Sequence, residues 1–567
     1  MALSESTDSQ VISVSDAIAR TLAQYTDAFF GLMGNGNAYF VDALERINTP
    51  IFEVRHEVAT VASADAYHRV SGKIAVATTT YGAGFTNTLT ALAEAAQARI
   101  PLILVVGDEP TAGRRPWDVN QEALTTAVGA RYMGVNQHDA AAVALRAFVT
   151  ARDERVPVVL AIPYDISASP FEGVLTVDSL PPVRAVKILD QEHIEHIVQT
   201  LLASRNPLIL AGRGAKNAAT AVRSLASFLG AKVATPAPAR GLFNRRSTED
   251  SFVDLGVCGG FAATGAAEEI RGADLVLVMG AGLNQFTRAF GEAFSPEATI
   301  IQIDLAPEKT HQSVDYFYQC AIEGAAPQLL QALLDQEAQR ITQPETIARV
   351  QARRKQASSY SEESDLTRRE MGSELAPDGR LDPRALLSEL NRLIPKNRTV
   401  IVDGGHFIGW PNMFIDLPGA DHMVMVGTAY QSIGLGFPSA PGAAVGRPDS
   451  LPVLFCGDGG GLMGIADAET FMRIAGRGVV VVMNDAAYGA EVHQYVSKGL
   501  AERPVLIPDI NFAGMLEALG AQSTVVRRHQ DLAAFERWIT LEEDGVFVLD
   551  CRVSKDVIAP YMRELIA

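Results

Sequence analysis

The stretch LPVLFCGDGGGLMG, residues 451–464, decides the fold. Its first half is an apolar run of buried-strand type, and its second half is a cluster of glycines. By letter, Gly459 to Gly464 matches G-x-G-x-x-G, the dinucleotide fingerprint, in which an acid about 20 residues further on binds a ribose. The next strand, RGVVVVMND, ends instead in Asn484 and Asp485, and Asp485 lies 27 residues past Asp458. That is the length of one helix and one strand, so in a parallel βαβ unit both acids emerge at the carboxyl edge of neighbouring strands, where ligands bind. Two carboxylates beside glycine N–H groups make a poor bare pyrophosphate site. A hard cation with oxygen ligands, Mg2+, resolves the conflict by bridging the carboxylates to a diphosphate. The glycines then read as room for that metal-held group.

Outward from this stretch, the chain repeats the same pattern. KIAVATTT, PLILVVG, VPVVLAIP, NPLILAG, DLVLVMG, TIIQID, TVIVDG and GVFVLDC are short, continuous apolar runs separated by helix-like segments. Such runs form parallel strands covered on both faces, which makes this an α/β protein of repeated βαβ units. Two polar or proline-bearing segments, 167–186 and 353–386, divide it into three doubly wound parallel-sheet domains: 8–166, 187–345 and 381–567.

Composition narrows the function. The 567 residues carry 48 basic and 66 acidic side chains, a net charge of −18, which gives no affinity for a nucleic-acid backbone. No apolar run reaches the roughly 18–20 residues of a membrane span. The first twenty residues lack the pattern of a secretory signal. The four cysteines have no metal-ligand spacing and read as core residues of a cytoplasmic protein.

With GDG and ND in place, the chain resembles the thiamine diphosphate-dependent enzymes of the acetolactate synthase, pyruvate decarboxylase and benzoylformate decarboxylase family, over nearly its whole length. The resemblance implies pyrimidine-binding, central and diphosphate-binding domains in that order, with thiamine diphosphate and Mg2+ as cofactors. It makes Asp458, Asp485 and the Ala487 carbonyl the metal ligands, with Gly457, Gly459, Gly460, Tyr488 and Gly489 around the diphosphate. Asp485 departs from the asparagine more common there, adding charge without losing an oxygen ligand. FEVRHEVATVASADAYHRVSGK, residues 52–73, resembles the synthase segment whose glutamate hydrogen-bonds the aminopyrimidine ring, which assigns that role to Glu57. Alone, Glu57 reads as an exposed acid at a helix N-terminus.

The other matches follow in the same way. In VGTAYQSIGLGF, residues 426–437, Ile433 takes the place of the residue that bends the cofactor, and the Gln431 carbonyl accepts from the pyrimidine amine, where most relatives have glycine. His406, in VDGGHFIGW, falls on a diphosphate-contacting loop. Gln121, in WDVNQEAL, matches a D-x-x-Q-E element and becomes an active-site amide. Two positions mix the branches. Asn35 aligns with a decarboxylase aspartate yet cannot exchange a proton as a carboxylate does. Glu491 matches a proton-relay glutamate where synthases have an aliphatic residue.

The expected reaction is decarboxylation of a small-molecule 2-oxo acid followed by carboligation to an acceptor carbonyl. The alternatives are release of an aldehyde, or a lyase or hydrolase reaction of the same superfamily. The resemblance also implies a homodimer or homotetramer with active sites between subunits. FAD in the central domain is a further cofactor that the synthase branch suggests.

Overall fold

Among the described residues, the apolar runs form eighteen strands in three six-stranded sheets, and all strand pairs in them are parallel. The structure is a computed structural model that describes residues 12–175, 180–182, 187–244, 250–339, 343–359 and 366–562. The outermost ends of the first and third expected domains, and parts of both dividing segments, lie outside the described residues.

In the first sheet, β1 is Phe29–Gly31, β2 Ile51–Glu53, β3 Val76–Thr79, β4 Ile103–Asp108, β5 Arg131–Gly134 and β6 Val158–Pro163. Their order is β2-β1-β3-β4-β6-β5. The alternation of side chains explains why these strands are apolar throughout. Phe29, Val76, Ile103 and Val158 enter one core, and Phe30, Ala77, Leu104 and Val159 enter another on the opposite face.

The central sheet contains β7 (Pro207–Ala211), β8 (Lys232–Thr235), β9 (Val253–Val257), β10 (Leu275–Met279), β11 (Thr299–Asp304) and β12 (Tyr316–Gln319). Its order, β12-β11-β10-β7-β8-β9, is the doubly wound arrangement of dinucleotide-binding proteins. The turn after β7 lines a large cavity through Arg213, Gly214 and Lys216, with Gly280 and Ala281 opposite. Gly212 and Gly214 are packed onto the Gly280–Ala281 backbone, and a short 3-10 helix, Arg213–Ala218, follows.

The third sheet holds β13 (Arg398–Val402), β14 (Met423–Val424), β15 (Leu451–Gly457), β16 (Arg477–Asn484), β17 (Gln522–Val526) and β18 (Gly545–Arg552). Its order, β14-β13-β15-β16-β18-β17, repeats that of the first sheet strand for strand. These two domains share one core, which takes Phe30 and Leu104 from the first and Ile401, Leu454 and Val480 from the third. Helices Glu57–Ser71 and Gly436–Gly446 cross at backbone contact, because a Cβ at Gly442 would overlap the Ser63 carbonyl. The Ser63 hydroxyl donates to the Pro438 carbonyl at 2.7 Å across the same crossing.

The dividing segments differ from expectation in their limits. Residues 169–172 still bond to the first domain, Val14 N–H donating to Ser169 O and Phe171 N–H to Ile12 O. Helix Pro344–Ser359 runs into the second segment, since Ala, Gln and Arg favour continuation and no glycine or proline stops it. Cys258, Cys320, Cys456 and Cys551 are buried and unpaired. Among the described residues, no helix is long and apolar enough to cross a membrane.

Candidate active site

The two acids of the opening stretch meet at one point. β15 and β16 are parallel neighbours with Gly457 opposite Met483, so Asp458 and Asp485 leave adjacent strand ends. Both line a small pocket of about 40 Å³, together with His406, Ile433, Ala487, Tyr488 and Glu491. Asp458 is 2 % exposed, and its Oδ1 accepts from the Gly459 N–H at 3.0 Å while its Oδ2 has no partner. Burial, then the nearby Asp485 carboxylate, pushes the Asp458 carboxyl well above the usual range.

Asp485 accepts from the Ala487 N–H at 3.2 Å, in a turn whose middle residue, Ala486, has φ +60°. A left-handed alanine costs about 1–2 kcal/mol, a strain that collects at functional loops. Ile507 N–H, which donates to the Ala486 carbonyl, and Tyr488 N–H, which donates to Val505 O, hold the turn in place.

An orphaned buried oxygen beside a second, half-buried carboxylate fits a cation, and the carboxylate oxygens suit a hard one, with His406 Nδ1 3.9 Å from Asp485 Oδ2. Among the described residues no three His, Cys, Asp or Glu side chains cluster as a metal site. The remaining ligands must therefore come from main chain, water or the bound group.

The glycines of the opening stretch are also required by close packing. A Cβ at Gly459 would lie 2.5 Å from the Tyr488 ring, and one at Gly460 would lie 2.5 Å from Asp403 Oδ2 and 3.0 Å from Ile433 Cγ2. These side chains pack on the Cα side of the two glycines, and both glycines line the same pocket as Asp458. Asp403, at the end of β13, accepts from the N–H groups of Gly404 (2.7 Å), Gly434 (3.0 Å) and Leu435 (3.2 Å). It thereby fixes the turn that carries Gln431 and Ile433, and burial pushes its carboxyl up to about 6. Gln431 has φ +58° and is exposed, so this position suits the glycine expected there.

Glu57 stands at the start of its helix, after β2, and is half-buried. Its Oε2 accepts from Asn87 Nδ2 at 2.9 Å, and a Cβ at Gly84 would lie 3.5 Å from its Oε1. Arg55, two residues earlier, donates its N–H to Asp467 and pairs with Glu469 at 2.8 Å, which ties this helix start to the third domain. Gln121 is buried, accepting from the Gly82 N–H at 3.0 Å and donating to Gly107 O at 2.9 Å. Asn35, exposed in the loop after β1, donates to the Tyr81 hydroxyl at 2.9 Å.

The chain thus forms two clusters. Asp458, Asp485, Ala487, His406, Ile433, Tyr488, Gly489 and Glu491 share the third domain's edge. Glu57, Gln121 and Asn35 share the first domain's edge and are not among the residues lining that pocket. Glu491, Gln431 and Ile433 also line a cavity of about 1360 Å³ that runs to the central domain.

Two residues escaped the sequence reading. His493 is buried with its ring 4.8 Å from that of His406, and neither Nε2 has a partner. Its spacing of four from Gly489 on one helix was the available signal. Asp403 ends an apolar strand just as Asp458 does.

Comparison with known proteins agrees with this fold. Three models of one family match: the thiamine pyrophosphate enzyme N-terminal TPP binding domain over residues 12–129, the central domain over 194–333, and the C-terminal TPP binding domain over 403–551. A probable 2-ketoarginine decarboxylase of Pseudomonas aeruginosa is 26% identical over 96% of this chain and 94% of its own. A sulfoacetaldehyde acetyltransferase of Castellaniella defragrans is 26% identical over 98% of this chain and 96% of its own. An acetolactate synthase large subunit of Porphyra purpurea is 24% identical over 89% and 84%. In fold, the thiamine diphosphate-dependent 4-hydroxybenzoylformate decarboxylase of Rhodococcus jostii RHA1 superposes with a TM-score of 0.74, at 20% identity, over 96% of this chain and 99% of that one.

Proposed function

The chain belongs to the thiamine pyrophosphate enzyme family, and on that premise we propose that it decarboxylates a 2-oxo acid with thiamine diphosphate and Mg2+ and joins the remaining fragment to an acceptor carbonyl. The observation that carries the reading is buried Asp458, with its unmet Oδ2, facing half-buried Asp485 in one pocket. When bound, thiamine diphosphate supplies a nucleophilic carbon and a sink for the electrons that departing carbon dioxide leaves behind.

The protein's residues then divide the work. Asp458, Asp485 and the Ala487 carbonyl hold the cation and so offset the charge of the diphosphate, with His406 beside it. The Gln431 carbonyl and the Ile433 side chain orient the pyrimidine ring. Glu57 holds a proton at its carboxylate for that ring. Asn35 offers its amide to the substrate, while Gln121, expected there too, is buried with both amide atoms bonded to Gly82 and Gly107 and so braces the loop. The separation of the two clusters within one chain supports a homodimer or homotetramer in which the first domain of one copy faces the third domain of another. FAD stays a further candidate cofactor, since Gly214, Gly280, Ala281 and Gly282 line the large cavity that runs to the central domain.

A second reading, release of an aldehyde, is favoured by Glu491, whose carboxyl lines both cavities and is able to deliver a proton. The deciding experiment supplies thiamine diphosphate and Mg2+ to apoprotein, offers a panel of 2-oxo acids with and without aldehyde or keto-acid acceptors, and identifies products by NMR. Hydroxyketone products support carboligation, aldehyde alone supports the second reading, and turnover without thiamine diphosphate contradicts both.

A further inference from the structure

Loops at the carboxyl ends of β3, β4 and β6 converge on one arginine. Arg115, after β4, donates through Nε and Nη2 to the Asp118 carboxylate at 3.0 and 2.8 Å, and its own N–H donates to the same group at 2.7 Å. Its guanidinium carbon lies 4.1 Å from the Tyr81 ring centre, 4.9 Å from Tyr164 and 5.7 Å from Trp117. The side chain is 17 % exposed, whereas that of Asp118 is 2 % exposed.

The fork toward Asp118 uses Nε and Nη2 and leaves Nη1 outside that ion pair, with the Tyr81 hydroxyl as the guanidinium's other polar neighbour. Held by an ion pair and by aromatic faces, the guanidinium is oriented before any ligand arrives, so binding an anion there costs little ordering. A planar fork of this kind matches the two oxygens of a carboxylate better than any other group of similar size. The surroundings tie it to the substrate side. Tyr81 accepts the Asn35 amide at 2.9 Å, and the next N–H, Gly82, donates to Gln121 at 3.0 Å. Arg114, by contrast, pairs with Glu109 in an exposed contact away from this group.

Resting on the function proposed above, we propose that Arg115 is a specificity-determining residue that binds a carboxylate which the reaction does not remove. Two sources offer that chemistry: a second carboxylate on the donor, or the carboxylate of a 2-oxo acid acceptor.

The test uses the full-length protein with thiamine diphosphate and Mg2+ and compares wild type, Arg115→Lys, Arg115→Met and the double variant Arg115→Met/Asp118→Asn, which leaves no unpaired acid. One arm offers 2-oxopentanoate or 2-oxoglutarate as donor. The other fixes the donor and offers acetaldehyde or glyoxylate as acceptor. In Arg115→Met, half-saturation for the carboxylate-bearing member rises about 10- to 100-fold more than for its partner, the size of one charge-assisted hydrogen bond. Turnover number changes far less, and lysine restores part of the loss. A shift in the donor arm assigns the donor carboxylate, and a shift in the acceptor arm assigns the acceptor's. Equal losses for both members of both pairs overturn the proposal and leave Arg115 as a loop tie.

A binding readout separates this from failure of the reaction itself. Trp410 and Trp538 are buried and Trp117 is 59 % exposed, so titrating glutarate into cofactor-free protein reads Trp117 emission, with Trp117→Phe as control. A saturable change that Arg115→Met abolishes supports the proposal even if no 2-oxo acid is turned over. A change that survives in Arg115→Met overturns it.

Discussion

Replacing Asp458 by asparagine should stabilise the cofactor-free protein and abolish its response to the cofactor. Asp458 is 2 % exposed, its Oδ2 lacks any partner, and Asp485 beside it is 11 % exposed. A buried polar atom without a partner costs about 1–3 kcal/mol, more when charged. The amide keeps the acceptor that Gly459 uses and turns the orphaned oxygen into a donor toward Asp485. The variant therefore gains about 1–3 kcal/mol without ligand, a rise of several degrees in melting temperature at roughly 2–4 °C per kcal/mol. Wild type, at about one hundred times the dissociation constant, gains about 2.7 kcal/mol from thiamine diphosphate with Mg2+. The variant gains little, having lost one anionic ligand. Thermal melts with cofactor and Mg2+, with cofactor and EDTA, and with neither give all three quantities. A cofactor-free variant that melts below wild type and still shows the full Mg2+-dependent shift would refute the assignment of this pair.

Further outcomes follow from other residues. Glu491→Gln removes a carboxyl able to pass a proton, so aldehyde release falls by about 10²–10⁴-fold while ligated product persists, and NMR of the product mixture reads the ratio. Asp403 is held at about 6 by burial, above its usual 3.8, so its ionised form carries a penalty of about 3 kcal/mol above pH 6. Stability recovers this penalty as pH falls from 6 toward 4, where the folded protein takes up the proton first. Urea unfolding across pH 4–8 should show this slope in wild type and lack it in Asp403→Asn. Mixing Glu57→Gln with Asp458→Asn, each inactive alone, should restore activity through hybrid dimers that hold one intact site. No recovery after confirmed subunit exchange would place both residues in a single-chain site.

The sheets were legible because strands buried on both faces are apolar at every position, as Phe29 and Phe30 on opposite cores illustrate. The pairing of Asp458 with Asp485 was legible for a related reason, since one crossover spans about the 27 residues between them. The shared strand order of the first and third sheets was not, because no short repeat survives in their side chains and topology alone carries the likeness. The packing of Tyr488, Asp403 and Ile433 against Gly459 and Gly460 was not legible, because those three come from other strands and turns. Arg115 and His493 also stayed hidden, because aromatic sandwiches and facing rings come from loops far apart in sequence.

The account joins Glu57 in the first domain to a cofactor held by Asp458 and Asp485 in the third. Exchange of the thiazolium C2 proton of bound thiamine diphosphate for deuterium, followed by quenched-flow NMR, tests that link without any substrate. Wild type with Mg2+ should exchange this proton far faster than the free cofactor does, and Glu57→Gln should lose about 10²–10⁴ of that rate while still binding the cofactor. Exchange at the wild-type rate in Glu57→Gln would contradict the account.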